Sequence, residues 1–448
     1  MIAGLFCVVA FVSVYIAGRR SLSNGTGLAL AFGYMYGIIR ANFPQPASHF
    51  IFDAAAAGLY LAIFARPKTP IERRRIAKVA PWVLVLFAWP ALLALLPIHD
   101  VLIQLVGLRG IVFFLPFIIL GAMFDDAELR KLAFWIAALD VVAFAFAGGE
   151  YFLGVPKFFP RNAATEIIYI SKDVANYSAY RIPSTFVNPA GYGGVMVLGM
   201  PLLVGAWARR RERTWSRIFL SAALAMAVMG VFLCASRTQA ATMIILALVV
   251  TLSFRVRMTA YLGWALIVIG TIWVVANSPR LQRFTELQDS SFVENRIRGS
   301  LNTSLLEKIE NHPLGSGLGG GGTSIPYFLQ DRIEEQEIIE NEYARILVEE
   351  GLPGLMLWAA FVVWALSRAA PQRSDPWFLG RRLAYVAILV FLLTGLTGLG
   401  LLTWIPGTAI LLFMIGWVAV PNNVRVAVAD PFAPATMRGE LVTSRAGT

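Results

Sequence analysis

Charge is scarce in this chain. Only 15% of its 448 residues are Asp, Glu, Lys or Arg, while 58% are hydrophobic. Soluble domains carry about 25% charged residues and about half apolar ones, so a soluble globular enzyme is excluded. Cysteine and histidine are nearly missing as well. Cys7 and Cys234 cannot build a disulfide-rich secreted domain, and adding His49, His99 and His312 does not make a structural zinc site. No metal site and no cofactor are expected. The first apolar run lacks an upstream basic region and a clear small-residue cleavage site, so it reads as a span rather than a signal peptide. The net charge is +11, but there is no basic stripe with interleaved aromatics. The arginines cluster between apolar runs, as membrane insertion demands, and no nucleic-acid partner is expected.

What the chain does contain is long apolar runs. About 260 apolar residues allow roughly a dozen helices of about 20 residues each. Runs at 2–17, 27–39, 50–65, 80–96, 103–123, 131–147, 186–207, 217–233, 239–254, 258–276, 346–366, 382–400 and 402–420 predict thirteen spans. The expected fold is all-α, a polytopic transmembrane helical bundle of about 12–13 spans with a long periplasmic loop carrying amphipathic helices.

Arg66, Lys68, Arg73, Arg74, Arg75 and Lys78 crowd one loop, and Arg209, Arg210, Arg211, Arg213 and Arg217 another. Arg255 and Arg257 fill a third, and Arg368, Arg373, Arg381 and Arg382 a fourth. Thirteen spans put all four on one side, which the positive-inside rule makes the cytoplasm. The chain then divides into N-terminal transmembrane helices (1–147), a first periplasmic loop (148–185), central transmembrane helices (186–276), a large periplasmic loop (277–345), C-terminal transmembrane helices (346–420) and a disordered cytoplasmic tail (421–448). A transporter usually keeps its chemistry near the bilayer midplane. Here the polar, glycine-rich and charged material lies in the two outer loops, which points to chemistry at the outer membrane face.

In the large loop, Val293, Ile297, Leu301, Leu305 and Ile309 recur every four residues with Arg296, Arg298, Asn302, Glu307 and Lys308 between them. This predicts an amphipathic helix on the membrane surface. It leads into His312-Pro313-Leu314-Gly315-Ser316-Gly317 and further glycines to Gly322, which read either as a flexible tether or as a backbone nest for an anion. No Gly-Lys-Ser/Thr follows, so it is not a Walker loop. Seven carboxylates lie between 333 and 350. Most read as a solvated face, but Glu340, Asn341, Glu342 and Tyr343 stand where the chain re-enters the membrane. A carboxylate there is partly desolvated and suited to act as a general base.

In the first loop, Arg181 precedes a span. Asn188-Pro189 followed by Gly191, Gly193 and Gly194 predicts a kinked, thin-walled helix start with room for a ligand. Arg237 is the one cation of the tight outer turn 234–239 and asks for a partner, an anionic ligand being one. Arg109 and Asp140 lie within apolar runs, where charges are functional candidates by default. Pairing with each other would satisfy both.

Three patterns, in order, resemble a known family: Arg181 with Asn188-Pro189; Ser236-Arg237-Thr238; and Arg298 with His312-Pro313-Leu314-Gly315-Ser316-Gly317, then Glu340-Asn341-Glu342-Tyr343 and Glu350-Gly351-Leu352-Pro353-Gly354. Over about 180–360 the chain resembles the O-antigen ligase and polymerase superfamily, bacterial inner-membrane glycosyltransferases of the GT-C type. The resemblance implies a multi-pass inner-membrane enzyme with its active site facing the periplasm. Its donor would be an undecaprenyl-pyrophosphate-linked glycan, its acceptor another glycan, and membrane lipids and a chain-length regulator its further partners. Arg181 and Arg298 would bind pyrophosphate. Arg237, Arg296, Asn188, Asn341, Tyr343 and Arg109 would be further substrate contacts. No Asp-x-Asp motif for a nucleotide-sugar metal site is present, which agrees with arginine serving the leaving group. Ligases of the family carry His where this chain has Glu340. An acidic base there fits a polymerase of O-antigen or exopolysaccharide repeat units, with Glu342 as its nearest competitor. The alternatives are a ligase transferring finished glycan to lipid A core or protein, and a lipid-linked oligosaccharide flippase.

Overall fold

The computed structural model describes residues 2–170, 180–209, 213–253, 309–310, 313–321, 325–332, 339, 341–368 and 375–420. Among them fifteen α-helices follow in order: α1 Ile2–Arg20, α2 Leu22–Tyr34, α3 Tyr36–Asn42, α4 Ile51–Phe64, α5 Pro70–Leu93, α6 Val101–Val112, α7 Pro116–Met123, α8 Asp126–Leu153, α9 Glu166–Ile170, α10 Pro189–Trp207, α11 Thr214–Leu233, α12 Arg237–Ser253, α13 Glu342–Ser367, α14 Phe378–Thr394 and α15 Gly407–Ala419. Eight helical stretches among the described residues are long and apolar enough to cross a membrane. The chain is a polytopic helical membrane protein. The predicted run at 258–276, the predicted amphipathic helix up to residue 308 and the tail after Val420 lie outside the described residues.

The helix ends follow from local chemistry. Thr69 and Glu72 form a reciprocal capping box at the start of α5, and Asp125 accepts from the N–H groups of Ala127 and Glu128 to start α8. α8 runs on to Leu153, past the expected boundary at 147, and α13 begins at Glu342 rather than at 346. α10 is buried almost all round, which makes it the central helix of the bundle. Its neighbours approach through small residues. A Cβ on Gly193 would lie 2.3 Å from Cys234 Sγ, and one on Gly194 would lie 2.2 Å from the Trp404 indole. At Gly193 and Gly194 the thin wall predicted at the start of α10 is therefore filled by Cys234 and Trp404. α7 and α15 touch backbone to backbone in the same way, through Gly121 and Gly416.

The basic loops meet at one end of the bundle. Arg19 Nη1 donates to Ala65 O (2.5 Å), Arg75 Nη1 to Phe124 O (3.3 Å) and Arg209 Nη1 to Asp126 O (3.0 Å). The Arg209 guanidinium lies over the Trp377 ring, and Arg381 pairs with Asp375 at 2.9 Å and donates to Trp417 O. These contacts bring together the ends of α1, α4, α7, α10 and α15 with the starts of α5, α8 and α14. Arg255 and Arg257 lie outside the described residues. The other end is tied by Asn162 Nδ2 to Ala41 O (2.8 Å), Asn42 Nδ2 to Phe158 O (3.1 Å), Tyr327 OH to Pro44 O (3.2 Å) and an Arg332–Asp100 pair (3.0 Å). Segments far apart in sequence thus fold over one end, and the cavity sits beneath them.

Candidate functional site

The cavity has a volume of about 850 Å³ and lies at the end opposite the basic loops. Seven stretches build its wall: α3 with the turn Pro46–Phe50, the end of α6, residues 163–167, the start of α10, the start of α12, the turn Tyr327–Arg332 with the residues before it, and the connection from α14 to α15. That volume lies within the range of about 300–1,000 Å³ typical of ligand pockets.

Two of the wall segments come from the motifs. Asn188 opens α10, its Oδ1 accepting from Gly191 N at 2.7 Å, and its side chain lines the cavity. Pro189 follows at the first helical position, where its fixed φ is already helical. Ser236 and Thr238 line the cavity on either side of Arg237, the first residue of α12. The positive ends of two helix dipoles therefore face one space. Arg181 lies beside this wall, half-buried, its Nε donating to Cys234 O at 3.1 Å. It holds the 234–238 turn rather than standing alone at a helix end.

The motif at the start of α13 has another role. Asn341 is fully buried and caps α13, its Oδ1 accepting from Ala344 N at 2.7 Å. Tyr343 donates to Leu392 O at 2.9 Å. Glu342 is fully buried too. Its Oε1 accepts from Arg345 Nε (2.9 Å) and Nη2 (2.6 Å), and its Oε2 from the N–H groups of Gly400 (2.7 Å) and Leu401 (3.1 Å). A carboxylate has about four acceptor positions, and protein donors take them all. The sequence offers Glu342 as a competing base, but the structure uses its carboxylate to clamp residues 395–401, which form part of the cavity wall. Arg345 continues to Glu349 at 2.9 Å, so a buried Glu–Arg–Glu row runs along the first turns of α13. Glu340, Arg296 and Arg298 lie outside the described residues.

The Pro-Leu-Gly turn and the Glu-Gly-Leu-Pro-Gly stretch explain each other. α13 breaks at Gly351, whose φ is +71° and ψ −174°. Around the break, Ser316 N donates to Val348 O (2.6 Å) and Leu352 N donates to Pro313 O (2.9 Å). The interrupted helix is satisfied by the turn. A Cβ on Gly351 would lie 2.4 Å from the Leu314 carbonyl carbon, so glycine is required there. Leu318 to Gly321 are buried, and Gly319 packs against Gly107 of α6. The described glycines are therefore a packed tongue, neither a tether nor a solvent-facing nest.

The remaining intramembrane charges pair differently from the expected Arg109–Asp140 bond. Arg109 lines the cavity and makes a two-pronged bond to Asp53, Nε to Oδ1 and Nη2 to Oδ2, both at 2.7 Å. Asp140 is fully buried elsewhere and accepts from Tyr34 OH at 2.8 Å. Arg40, His49 and Glu166 also line the cavity. The motif reading missed all three. Arg40 and His49 flank the outer segment 41–48, and an Arg at an outer helix end runs against the positive-inside bias. That signal was available in the sequence. Outside the membrane-spanning helices, Asp100 caps α6. The Leu102 N–H chiefly, together with the Arg332 guanidinium, holds its carboxyl below the ordinary range.

Comparison with known proteins adds one finding. Residues 222–359 match the family model described as O-antigen ligase. The match starts within α11, takes in α12 and ends just past the break in α13. No curated protein matches the chain.

Proposed function

Residues 222–359 match the family model described as O-antigen ligase, and from that likeness we propose that the chain polymerises lipid-linked oligosaccharide repeat units at the periplasmic face of the bacterial inner membrane. The observation that carries this reading is the cavity. It lies at the end away from the basic loops, which the positive-inside rule assigns to the cytoplasm. Two motif segments, Asn188-Pro189 and Ser236-Arg237-Thr238, stand in its wall.

The donor is a glycan on undecaprenyl pyrophosphate. Arg181 and Arg298, supported by Arg237 and Arg296, hold the pyrophosphate, with the N-termini of α10 and α12 adding favourable dipole ends. Glu340 takes the proton of an acceptor hydroxyl as that oxygen attacks the anomeric carbon. The new glycosidic C–O bond forms as the bond to the pyrophosphate oxygen breaks, and undecaprenyl pyrophosphate leaves with the bonding electrons. One displacement inverts configuration. Glu342, Asn341 and Tyr343 position the wall through α13 and residues 395–401. A second reading is favoured by the matched family's own description, O-antigen ligase, in which the acceptor is lipid A core or a protein.

The test is polymer length in cells at equal protein level. Arg181→Ala should cut turnover by about two powers of ten, the scale for a group that stabilises charge developing on a leaving group. Arg298→Lys keeps the charge but loses the fork, and should shorten the polymer too. Wild-type polymer length in both variants contradicts the pyrophosphate role.

A further inference from the structure

The cavity has a second polar cluster, Arg40, His49, Asp53 and Arg109, carried by α3, the turn Pro46–Phe50, α4 and α6, all ahead of the residues that match the family. His49 is its centre. It is only 5% exposed, lines the cavity, and its Nε2 has no hydrogen-bond partner among the described residues. Tyr327 and Phe328 pack their rings against it at 5.3 and 5.2 Å. Arg40 and Arg109 both act electrostatically on the His49 ring, and both also act on Tyr36, whose OH donates to His49 O at 3.2 Å. Asp53 occupies the Nε and Nη2 edge of Arg109. The Nη1 edge makes no hydrogen bond within the described protein, and Arg109 lines the cavity. Buried polar groups left without partners are costly unless something fills them.

The charges state what fills them. Two guanidiniums face one carboxylate, so a single positive charge is left over. Glu166 also lines the cavity, but it is exposed and stands on a different segment. A pyrophosphate carries more negative charge than this cluster offsets. A singly charged group matches it. The aromatic rings of Tyr36, Tyr327 and Trp404 line the same space and offer flat apolar faces to the ring carbons of a sugar.

The geometry points to a specificity subsite in which Arg40, His49 and the free edge of Arg109 bind one monoanionic substituent of the glycan, a sugar carboxylate or a phosphodiester. The cavity is thus built for an acidic polysaccharide. This rests on the transferase reading and specifies its substrate class.

The test uses the full chain in lipid nanodiscs. Calorimetry measures binding of three probes: a tetrasaccharide of alternating glucuronate and N-acetylglucosamine, its carboxyl-reduced neutral form, and the neutral form bearing one phosphodiester. At least one charged probe should bind about tenfold or more tighter than the neutral one, the scale of one hydrogen bond to a charged group. Which charged probe binds more tightly decides between carboxylate and phosphodiester. Arg40→Gln should bring the ratio near one, and Arg40→Lys, which keeps the charge, should retain most of it. Equal binding of all probes, binding of none, or a ratio unchanged in Arg40→Gln overturns the subsite. Turnover of lipid-linked repeat units is read in the same preparations. Turnover without a charge preference overturns the subsite alone, whereas a charge preference without turnover contradicts the transferase reading.

Discussion

Glu342 has all its acceptor positions taken by Arg345 and the 400–401 backbone, and this separates it from Glu340 by a measurable difference. Glu342→Gln leaves Arg345 with only Glu349 in a buried row. It should lower the stability of the purified protein by about 3 kcal/mol, the lower end of the cost of breaking a buried pair. Glu340→Gln should leave the unfolding midpoint unchanged and abolish polymer, and Glu340→His should restore some activity at neutral or higher pH, where the imidazole is unprotonated. An undisturbed midpoint in Glu342→Gln contradicts the clamp. At this scale local conformation was easier to read from the sequence than distant contacts. Asn188 was legible because an Asn-Pro step before an apolar run starts a helix by local chemistry. The partner of Arg109 was not. Asp53 is 56 residues away on another helix, and only the tertiary fold chooses it over Asp140.

The break in α13 belongs to the scale of elements. In the sequence, Pro313 to Gly317 and Glu350 to Gly354 are two glycine-containing motifs without a stated relation. In the fold each satisfies the other's backbone at Gly351. Gly351→Ala places a Cβ against the Leu314 carbonyl at a φ of +71°, so it should destabilise the protein by about 1–3 kcal/mol. Gly398→Ala meets nothing closer than 3.7 Å and serves as the control. Equal unfolding midpoints in the two variants contradict the tongue-and-break packing. Glycine content alone did not distinguish a tether from a packed tongue, because the difference lies in close approaches to α6 and α13. Helix existence was easier to read. Apolar runs of spanning length have few other outcomes in lipid.

At the scale of the whole molecule, the gathering of the basic loops at one end was legible from the loop-by-loop count of Lys and Arg. Arg75, Arg209 and Arg381 gather in the structure as that count requires, and Arg19, which the count left out, joins them. The cavity itself was not legible, because its wall is assembled from seven stretches between residues 36 and 405. Reporter fusions at Arg211 and Gly320 should give cytoplasmic and periplasmic activity respectively. A periplasm-dependent signal at Arg211 reverses the orientation. The central claim is tested most directly by reconstitution. Purified protein in nanodiscs is given undecaprenyl-pyrophosphate-linked repeat units and no other acceptor, and the glycans are sized with time. The account predicts a ladder of lengthening lipid-linked glycans and matching release of undecaprenyl pyrophosphate. Repeat units that stay single, with no release of undecaprenyl pyrophosphate, contradict polymerisation.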